Sequence, residues 1–207
     1  MNKKIIGVVA CSAVAASMAI GASASDELIK VGYAQVGHES DWRTANTQNY
    51  QDVFSEENGY ELSFVDCDND NAAQIEAVRN FINQELDYIV IAPIQSAGWD
   101  TVLQEAQDAG IPVIIADREI EASDDLYDAW VGTNTTNEGI TAGNWLAEYM
   151  DGKEANILVI EGSVGASAAL GRTDGFNQVA ADHDEWTILD SQSGDFTQDG
   201  GQEVMES

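Results

Sequence analysis

The chain has 207 residues, of which 37 are Asp or Glu and 8 are Lys or Arg, so its formal net charge at pH 7 is −29. A charge of this size repels nucleic acid phosphates and anionic membrane surfaces, and it argues against both as partners. The carboxylates predict a solvated acidic surface and do not by themselves identify a ligand.

The first 24 residues have the pattern of a secretory signal peptide. Two lysines precede a mostly small and apolar run over residues 5–20, and Ala-Ser-Ala at residues 22–24 is a small-x-small cleavage site. The alternative is a lipoprotein signal that carries lipid on Cys11. Ordinary cleavage leaves Cys67 as the single cysteine, so we expect an exported protein without an internal disulfide.

From residue 29 onward, apolar strand-like runs alternate with segments whose apolar residues recur at helical spacing. Strands are predicted over residues 29–34, 62–65, 88–91, 113–116, 129–132, 156–160 and 187–189. Helices are predicted between successive strands, except between the fourth and the fifth, and a last helix is predicted over residues 202–207. This alternation predicts an α/β fold in which parallel sheets carry helices on both faces.

The predicted elements fall into two groups. We place the first lobe at residues 28–133 and a partial second lobe at residues 134–207. The second lobe is short for a unit with its own hydrophobic core.

Asp117 and Arg118 directly follow the predicted strand 113–116. Residues just beyond the carboxyl ends of parallel strands face the ligand crevice of such a sheet. Asp accepts hydrogen bonds and Arg donates several from a rigid fork, so together they suit a neutral ligand rich in hydroxyl groups. The alternative is a solvated ion pair in a loop, which contributes little.

No metal or cofactor site is predicted. The acidic run at residues 66–70 lacks the glycine and the final glutamate of a calcium loop, and neither histidine has a metal-binding partner at the required spacing. Gly162 and Gly165 precede a helix, but no Lys-Ser or Lys-Thr follows them. This pair therefore predicts a tight turn and not a phosphate site.

Five segments in order resemble the periplasmic sugar-binding proteins of ABC importers, in the ribose- and galactose-binding group. They are VGHESDWR at 36–43, IAP at 91–93 with GW at 98–99, DR at 117–118, GSVGAS at 162–167 and SQSGDF at 191–196. The resemblance covers essentially the whole chain after the signal peptide. It implies the type I fold of these proteins, in which a sugar is held between two α/β lobes. The chain is shorter than members of this family, so we expect a C-terminally truncated sequence with an incomplete second lobe.

The resemblance also implies a set of ligand-binding residues. The candidates are Glu39, Trp42, Arg43, Asp117, Arg118, Arg172 and Phe196. Trp42 and Phe196 would cover the apolar faces of a sugar ring, with core packing as the alternative. The charged candidates would bind hydroxyl groups. The alternative for Glu39 and Arg43 is a local exposed salt bridge, and for Arg172 a surface charge.

The function implied by the resemblance is the capture of a monosaccharide, galactofuranose-like, for an ABC permease in the membrane. Arabinose, galactose and ribose remain open as ligands. We expect a periplasmic monomer without enzymatic activity. The alternatives are a sugar sensor or chemoreceptor adaptor of the same fold, and an exported sugar-processing enzyme, although no nucleophile elbow or zinc motif is present.

Overall fold

The structure is a computed structural model that describes residues 27–207. These residues form seven strands and six α-helices, which alternate except that a short 3-10 helix, Asp124–Leu126, joins the fourth strand to the fifth. The strands are β1 (Ile29–Gln35), β2 (Tyr60–Asp66), β3 (Tyr88–Ile91), β4 (Val113–Asp117), β5 (Ala129–Gly132), β6 (Ala155–Glu161) and β7 (Trp186–Ser193). The helices are α1 (Asp41–Val53), α2 (Asn71–Asn83), α3 (Asp100–Asp108), α4 (Thr135–Met150), α5 (Ser167–Ala180) and α6 (Gln198–Glu206). The predicted signal peptide and Cys11 lie outside the described residues.

The strand predictions are confirmed, and β3 and β5 have the predicted bounds. Helix α6 begins earlier than the predicted residue 202, because Thr197 caps it: its Oγ1 accepts a hydrogen bond from the Gly200 backbone N at 2.9 Å. The first turn of α6 contains two glycines and no apolar side chain, so hydrophobic periodicity could not reveal it.

The first five strands form one parallel sheet in the order β2-β1-β3-β4-β5. Successive residues of β1 contact helices on opposite sides of this sheet. Gly32 lies against Phe81 of α2, whereas the Tyr33 ring stacks on Tyr50 of α1 at a centroid distance of 4.2 Å. Side chains of neighbouring residues in a strand point to opposite faces, so helices cover both faces and the core lies on either side of β1, β3 and β4.

Gln74 of α2 fixes the carboxyl ends of two central strands. Its buried side-chain Nε2 donates to the Ala34 carbonyl at 3.1 Å and to the Ala92 carbonyl at 2.6 Å, and its Oε1 accepts from Ile94 N at 2.9 Å. A buried amide whose hydrogen bonds are satisfied resists movement of the groups that it joins. Gln74 therefore holds in place the loops that leave β1 and β3.

The second sheet, within the described residues, has only two parallel strands, β6 and β7. Helices α4 and α5 pack closely because Gly175 of α5 lies against the Thr136 carbonyl and Gly139 of α4 against the Arg172 carbonyl, where side chains would collide. A cavity of about 800 Å³ lies between these helices and the sheet. Leu158 of β6 and Leu189 of β7 are exposed.

The connection from β5 to α4 contains the predicted boundary after residue 133, and the exact division into lobes stays a prediction. Asn134 caps α4, because its Oδ1 accepts from Asn137 N at 2.9 Å. The two sheets meet through loops at their carboxyl ends: Ser96 N donates to the Gly165 carbonyl at 2.9 Å, and Glu119 N donates to Ser167 Oγ at 2.8 Å.

Candidate functional site

The first part of the site is the segment that leaves β1 and begins α1. Ser40 caps α1, and its Oγ accepts a hydrogen bond from Arg43 N at 3.1 Å. The cap fixes the first helical turn, in which Trp42 is 58% exposed and Arg43 is buried. Arg43 thus points inward toward the end of β4.

Four charged side chains form a buried network at the ends of β1 and β4. Glu39 Oε1 accepts hydrogen bonds from Arg43 Nε at 3.1 Å and from Arg118 Nη2 at 3.2 Å. Arg43 Nη2 donates to Asp117 Oδ2 at 2.7 Å. The side chains of Glu39, Arg43 and Arg118 are each at most 5% exposed.

This network corrects two alternatives from the sequence. Asp117 and Arg118 do not pair with each other, since Asp117 pairs with Arg43 and Arg118 with Glu39. The Glu39–Arg43 pair exists, but it is buried and not an exposed surface bridge. The pairs of Asp117 with Arg43 and of Arg118 with Glu39 link the segment after β1 to the end of β4. Burial makes these interactions stronger than surface ion pairs.

The backbone of Asp117 is unusual. Its φ is 66°, in the left-handed region that residues other than glycine rarely adopt. A Cβ on the neighbouring Gly132 of β5 would overlap the Asp117 carbonyl oxygen, so glycine leaves room for this turn. Strained backbone of this kind is common at binding sites, where it directs side chains that a regular strand would point elsewhere.

The pKa of Arg43 is raised and the pKa of Arg118 is lowered, although both side chains are buried. Burial acts to lower the pKa of Arg43, but the carboxylates of Asp117 and Glu39 outweigh burial and raise it. Burial, together with repulsion from Arg43, lowers the pKa of Arg118 to about 10, against the opposing effect of Glu39 and Asp117. Both guanidinium groups carry a positive charge at neutral pH.

Two polar atoms of the network are buried without a hydrogen-bond partner among the described residues. They are Glu39 Oε2, an acceptor, and Arg43 Nη1, a donor. Buried polar atoms are nearly always paired, because an unpaired one loses its hydration without compensation. A ligand hydroxyl can donate to one and accept from the other.

Aromatic rings lie on both sides of the network. The Arg43 Cζ is 4.8 Å from the Trp42 ring centroid, and the Arg118 Cζ is 4.8 Å from the ring centroid of Phe196, which follows β7. Such distances are typical of cation–π contacts. The core alternative for Trp42 is wrong, because more than half of this side chain is exposed.

Arg172 of α5 lies at the edge of the site. Its Nε donates to Glu138 Oε2 of α4 at 2.8 Å, and its Cζ is 6.0 Å from the Phe196 ring centroid. Hydrogen bonding to Arg172 lowers the pKa of the Glu138 carboxyl. All seven candidates thus belong to one connected set of contacts, although Arg172 remains about half exposed and bound to its own carboxylate.

A groove of about 420 Å³ separates the two lobes beside this set. It is lined by residues of the first lobe, including Glu39 and Asp68, and of the second lobe, including Thr197 and Asp199. Residues 27–207 contain no group of three or more His, Cys, Asp or Glu side chains arranged to hold a metal ion. The lining of this groove is polar, with carboxylate, amide and hydroxyl groups, and both candidate aromatic rings lie outside the lining.

Sequence reasoning missed the residues that support the site. Gln74 carried no motif, although a glutamine among the apolar positions of a helix is a signal of buried polar contact. Glu138 was also missed, and its only signal is a lone acidic residue in the first turn of α4.

A parallel sheet with strand order 2-1-3-4-5, which meets a second α/β unit across a polar groove, is the architecture expected of a two-lobed binding-protein fold. Residues 31–207 match the family model described as periplasmic binding protein domain, and the chain belongs to this family. The predicted fold class, the type I fold of these proteins, is confirmed.

The chain is similar to sugar-binding proteins. It is 42% identical over 208 residues to the galactofuranose-binding protein YtfQ of Escherichia coli, covering all of this chain and 64% of that protein. A Mycobacterium smegmatis structure in complex with β-D-fucofuranose is 41% identical with a TM-score of 0.82, covering 86% of this chain and 59% of that one. The arabinose-transporter binding protein of Shewanella sp. ANA-3, bound to L-arabinofuranose, is 42% identical with a TM-score of 0.80, covering 86% and 58%. The chain therefore spans less than two thirds of these relatives.

Proposed function

We propose that this protein captures a monosaccharide outside the cytoplasm and delivers it to an ABC importer. The observation that carries the proposal is the buried pair of unpartnered atoms, Glu39 Oε2 and Arg43 Nη1, within a charged network flanked by Trp42 and Phe196. Sugars have hydroxyl groups that both donate and accept, and C–H faces that pack on aromatic rings. The site offers both kinds of complement.

The proposed ligand is a sugar in its furanose form. Three relatives support this choice, because their names specify galactofuranose, β-D-fucofuranose and L-arabinofuranose. Their identity to this chain is 41% to 42%. Galactofuranose is the ligand that we favour, and arabinofuranose is the second candidate.

The proposed mechanism is capture between the lobes followed by closure. The first lobe supplies Glu39, Arg43, Asp117 and Arg118, and the second supplies Phe196 and Arg172. A sugar that contacts both lobes favours the closed arrangement, because it interacts with more groups there than in an open one. Closure also excludes water, which strengthens the charge-assisted hydrogen bonds to the hydroxyl groups.

The remaining properties follow from this role. The protein is exported, acts as a monomer, and carries out no chemistry on the sugar. Its partner is a membrane permease that recognises the closed form and releases the sugar inward. The relatives that support this assignment are binding proteins and not enzymes.

Titration calorimetry of the purified protein tests the proposal. The ligands are D-galactose, L-arabinose and D-fucose, which interconvert between pyranose and furanose rings in water. The matched control is methyl β-D-galactopyranoside, whose ring is locked. We expect binding of at least one free sugar and none of the control. Equal binding of the locked pyranoside would contradict the furanose assignment, and heat from none of the sugars would contradict sugar capture.

A further inference from the structure

Phe196 is held in a turn with an uncommon backbone. Asp195 has a φ of 53° and Phe196 a φ of 59°, so two successive residues other than glycine are left-handed. Such conformations are unfavourable and persist only where surrounding contacts enforce them. Gly194 N donates to the Glu161 carbonyl at 2.9 Å, and Thr197 N donates to the Gly194 carbonyl at 3.0 Å. The second bond lies within the turn, and the first joins the turn to the end of β6.

A serine ties the same turn to Gly162. Ser193 Oγ donates to the Gly162 carbonyl at 2.7 Å, and Asp195 N donates to Ser193 Oγ at 3.2 Å. The residue that follows β6 and the turn that follows β7 are therefore joined through one hydroxyl group. The position of the Phe196 ring depends on this junction.

Gly162 is buried at the point where the Phe196 ring meets β6. A Cβ at Gly162 would overlap the ring atoms Cζ, Cε1 and Cε2 of Phe196. The φ of Gly162 is not in the positive range, unlike that of Gly165 at 81°. The two glycines of the predicted turn thus differ: Gly165 supplies a left-handed conformation, whereas Gly162 supplies space for a ring.

We propose that Gly162 is a positioning residue for the sugar site. Because it has no side chain, the Phe196 ring lies against the end of β6 and reaches Arg118 of the first lobe, 4.8 Å from its Cζ. A side chain at position 162 displaces the ring from Arg118 and from the face that it offers to the sugar. The inference rests on the proposed function, since it concerns the geometry of the same site.

The experiment is a double-mutant cycle of Gly162→Ala and Phe196→Ala. Gly201→Ala is the matched control, because a Cβ at Gly201 meets no atom within 4 Å. Thermal unfolding without sugar gives Tm, and calorimetry with D-galactose and with L-arabinose gives Kd. We expect Gly162→Ala to lower Tm by roughly 5 °C when Phe196 is present. In the Phe196→Ala background we expect little further change.

The Kd values follow the same pattern. Gly162→Ala weakens sugar binding by roughly tenfold or more, Phe196→Ala does so as well, and the double variant binds as Phe196→Ala does. Should Gly162→Ala fail to fold, folding of the double variant supports the inference and failure of both overturns it. Additive effects on Tm, or unchanged Tm and Kd in Gly162→Ala, also overturn it. Absence of sugar binding by the wild-type chain contradicts the proposed function, while the Tm cycle still tests the position of Phe196.

Discussion

Glu39 and Arg118 are 79 positions apart in the chain and form a buried ion pair, with 3.2 Å between Oε1 and Nη2. The same carboxylate oxygen accepts from Arg43. One glutamate thus neutralises part of two buried positive charges and joins the loop after β1 to the end of β4. These hydrogen bonds hold the two segments of the first lobe in a fixed arrangement.

Glu39→Gln tests how much the buried ion pairs of Glu39 contribute to the stability of the fold. Loss of the carboxylate leaves Arg43 and Arg118 buried with less neutralisation, so we expect the free energy of unfolding to fall by roughly 3 kcal/mol. Urea denaturation measures it. The control is Glu105→Gln, which breaks the exposed pair with Arg79, and it should cost less than about 1 kcal/mol. Equal effects of the two substitutions would contradict a buried network.

Trp42→Ala separates binding from folding. Because the Trp42 side chain is 58% exposed, we expect the free energy of unfolding to change by no more than about 0.5 kcal/mol. Sugar affinity should fall roughly tenfold, since a ring face that covers the ligand is lost. Trp145→Ala is the control, because Trp145 is 62% exposed on α4 and should leave the affinity unchanged. Equal affinities of both variants would exclude Trp42 from the site.

The sequence indicated the site because its residues follow predicted strands. The run before Asp117 is apolar and short, and alternation of strands and helices indicated a parallel sheet, so Asp117 and Arg118 were expected at its ligand-binding edge. Their partners could not be predicted from the pattern. The pairing with Arg43 and Glu39 depends on the positions of β1 and β4 on either side of β3. Hydrophobic periodicity does not predict the order of strands in a sheet.

The contact between Phe196 and Arg118 was beyond sequence reasoning for a different reason. It joins the two lobes, and its geometry depends on the left-handed backbone of Phe196 and on the space at Gly162. Local propensity does not predict this backbone, because a phenylalanine rarely adopts positive φ. The resemblance to sugar-binding proteins supplied Phe196 as a candidate, while the structure gives the contact.

Asp117→Asn tests how much the negative charge of Asp117 contributes to sugar affinity. The amide is nearly the same size, but it no longer carries the charge that opposes Arg43, whose Nη2 lies 2.7 Å from Oδ2. We expect sugar affinity to fall roughly 30-fold, or about 2 kcal/mol. The control is Asp52→Asn on the exposed side of α1, where the Asp52 carboxylate accepts from Gln48 and the affinity should not change. A wild-type affinity in Asp117→Asn would remove this carboxylate from the binding network.

His38 gives a prediction for pH. Its Nδ1 lies 3.0 Å from Asp66 Oδ2, and this hydrogen bond, with the nearby carboxylate charge, raises the pKa of His38 above its ordinary value of 6.5. Because the folded-state pKa is the higher one, the stabilisation is fully present below pH 6.5 and is lost as pH rises through the folded-state pKa.

An NMR titration of the His38 ring measures this shift. We expect the pKa to fall toward 6.5 in Asp66→Asn, because the hydrogen bond and the charge are both altered. Asp87→Asn is a control, since Asp87 accepts from Lys30 N at the other end of the sheet. An unchanged titration of His38 in Asp66→Asn would show that the pair does not form in solution.

The most direct measurement is the crystal structure of the protein with its sugar bound. We expect hydroxyl oxygens within about 3.2 Å of Arg43 Nη1 and Glu39 Oε2, and the ring of the sugar between Trp42 and Phe196. A sugar that binds away from Arg43 and Glu39, and leaves Arg43 Nη1 and Glu39 Oε2 without a hydrogen-bond partner, would contradict the account.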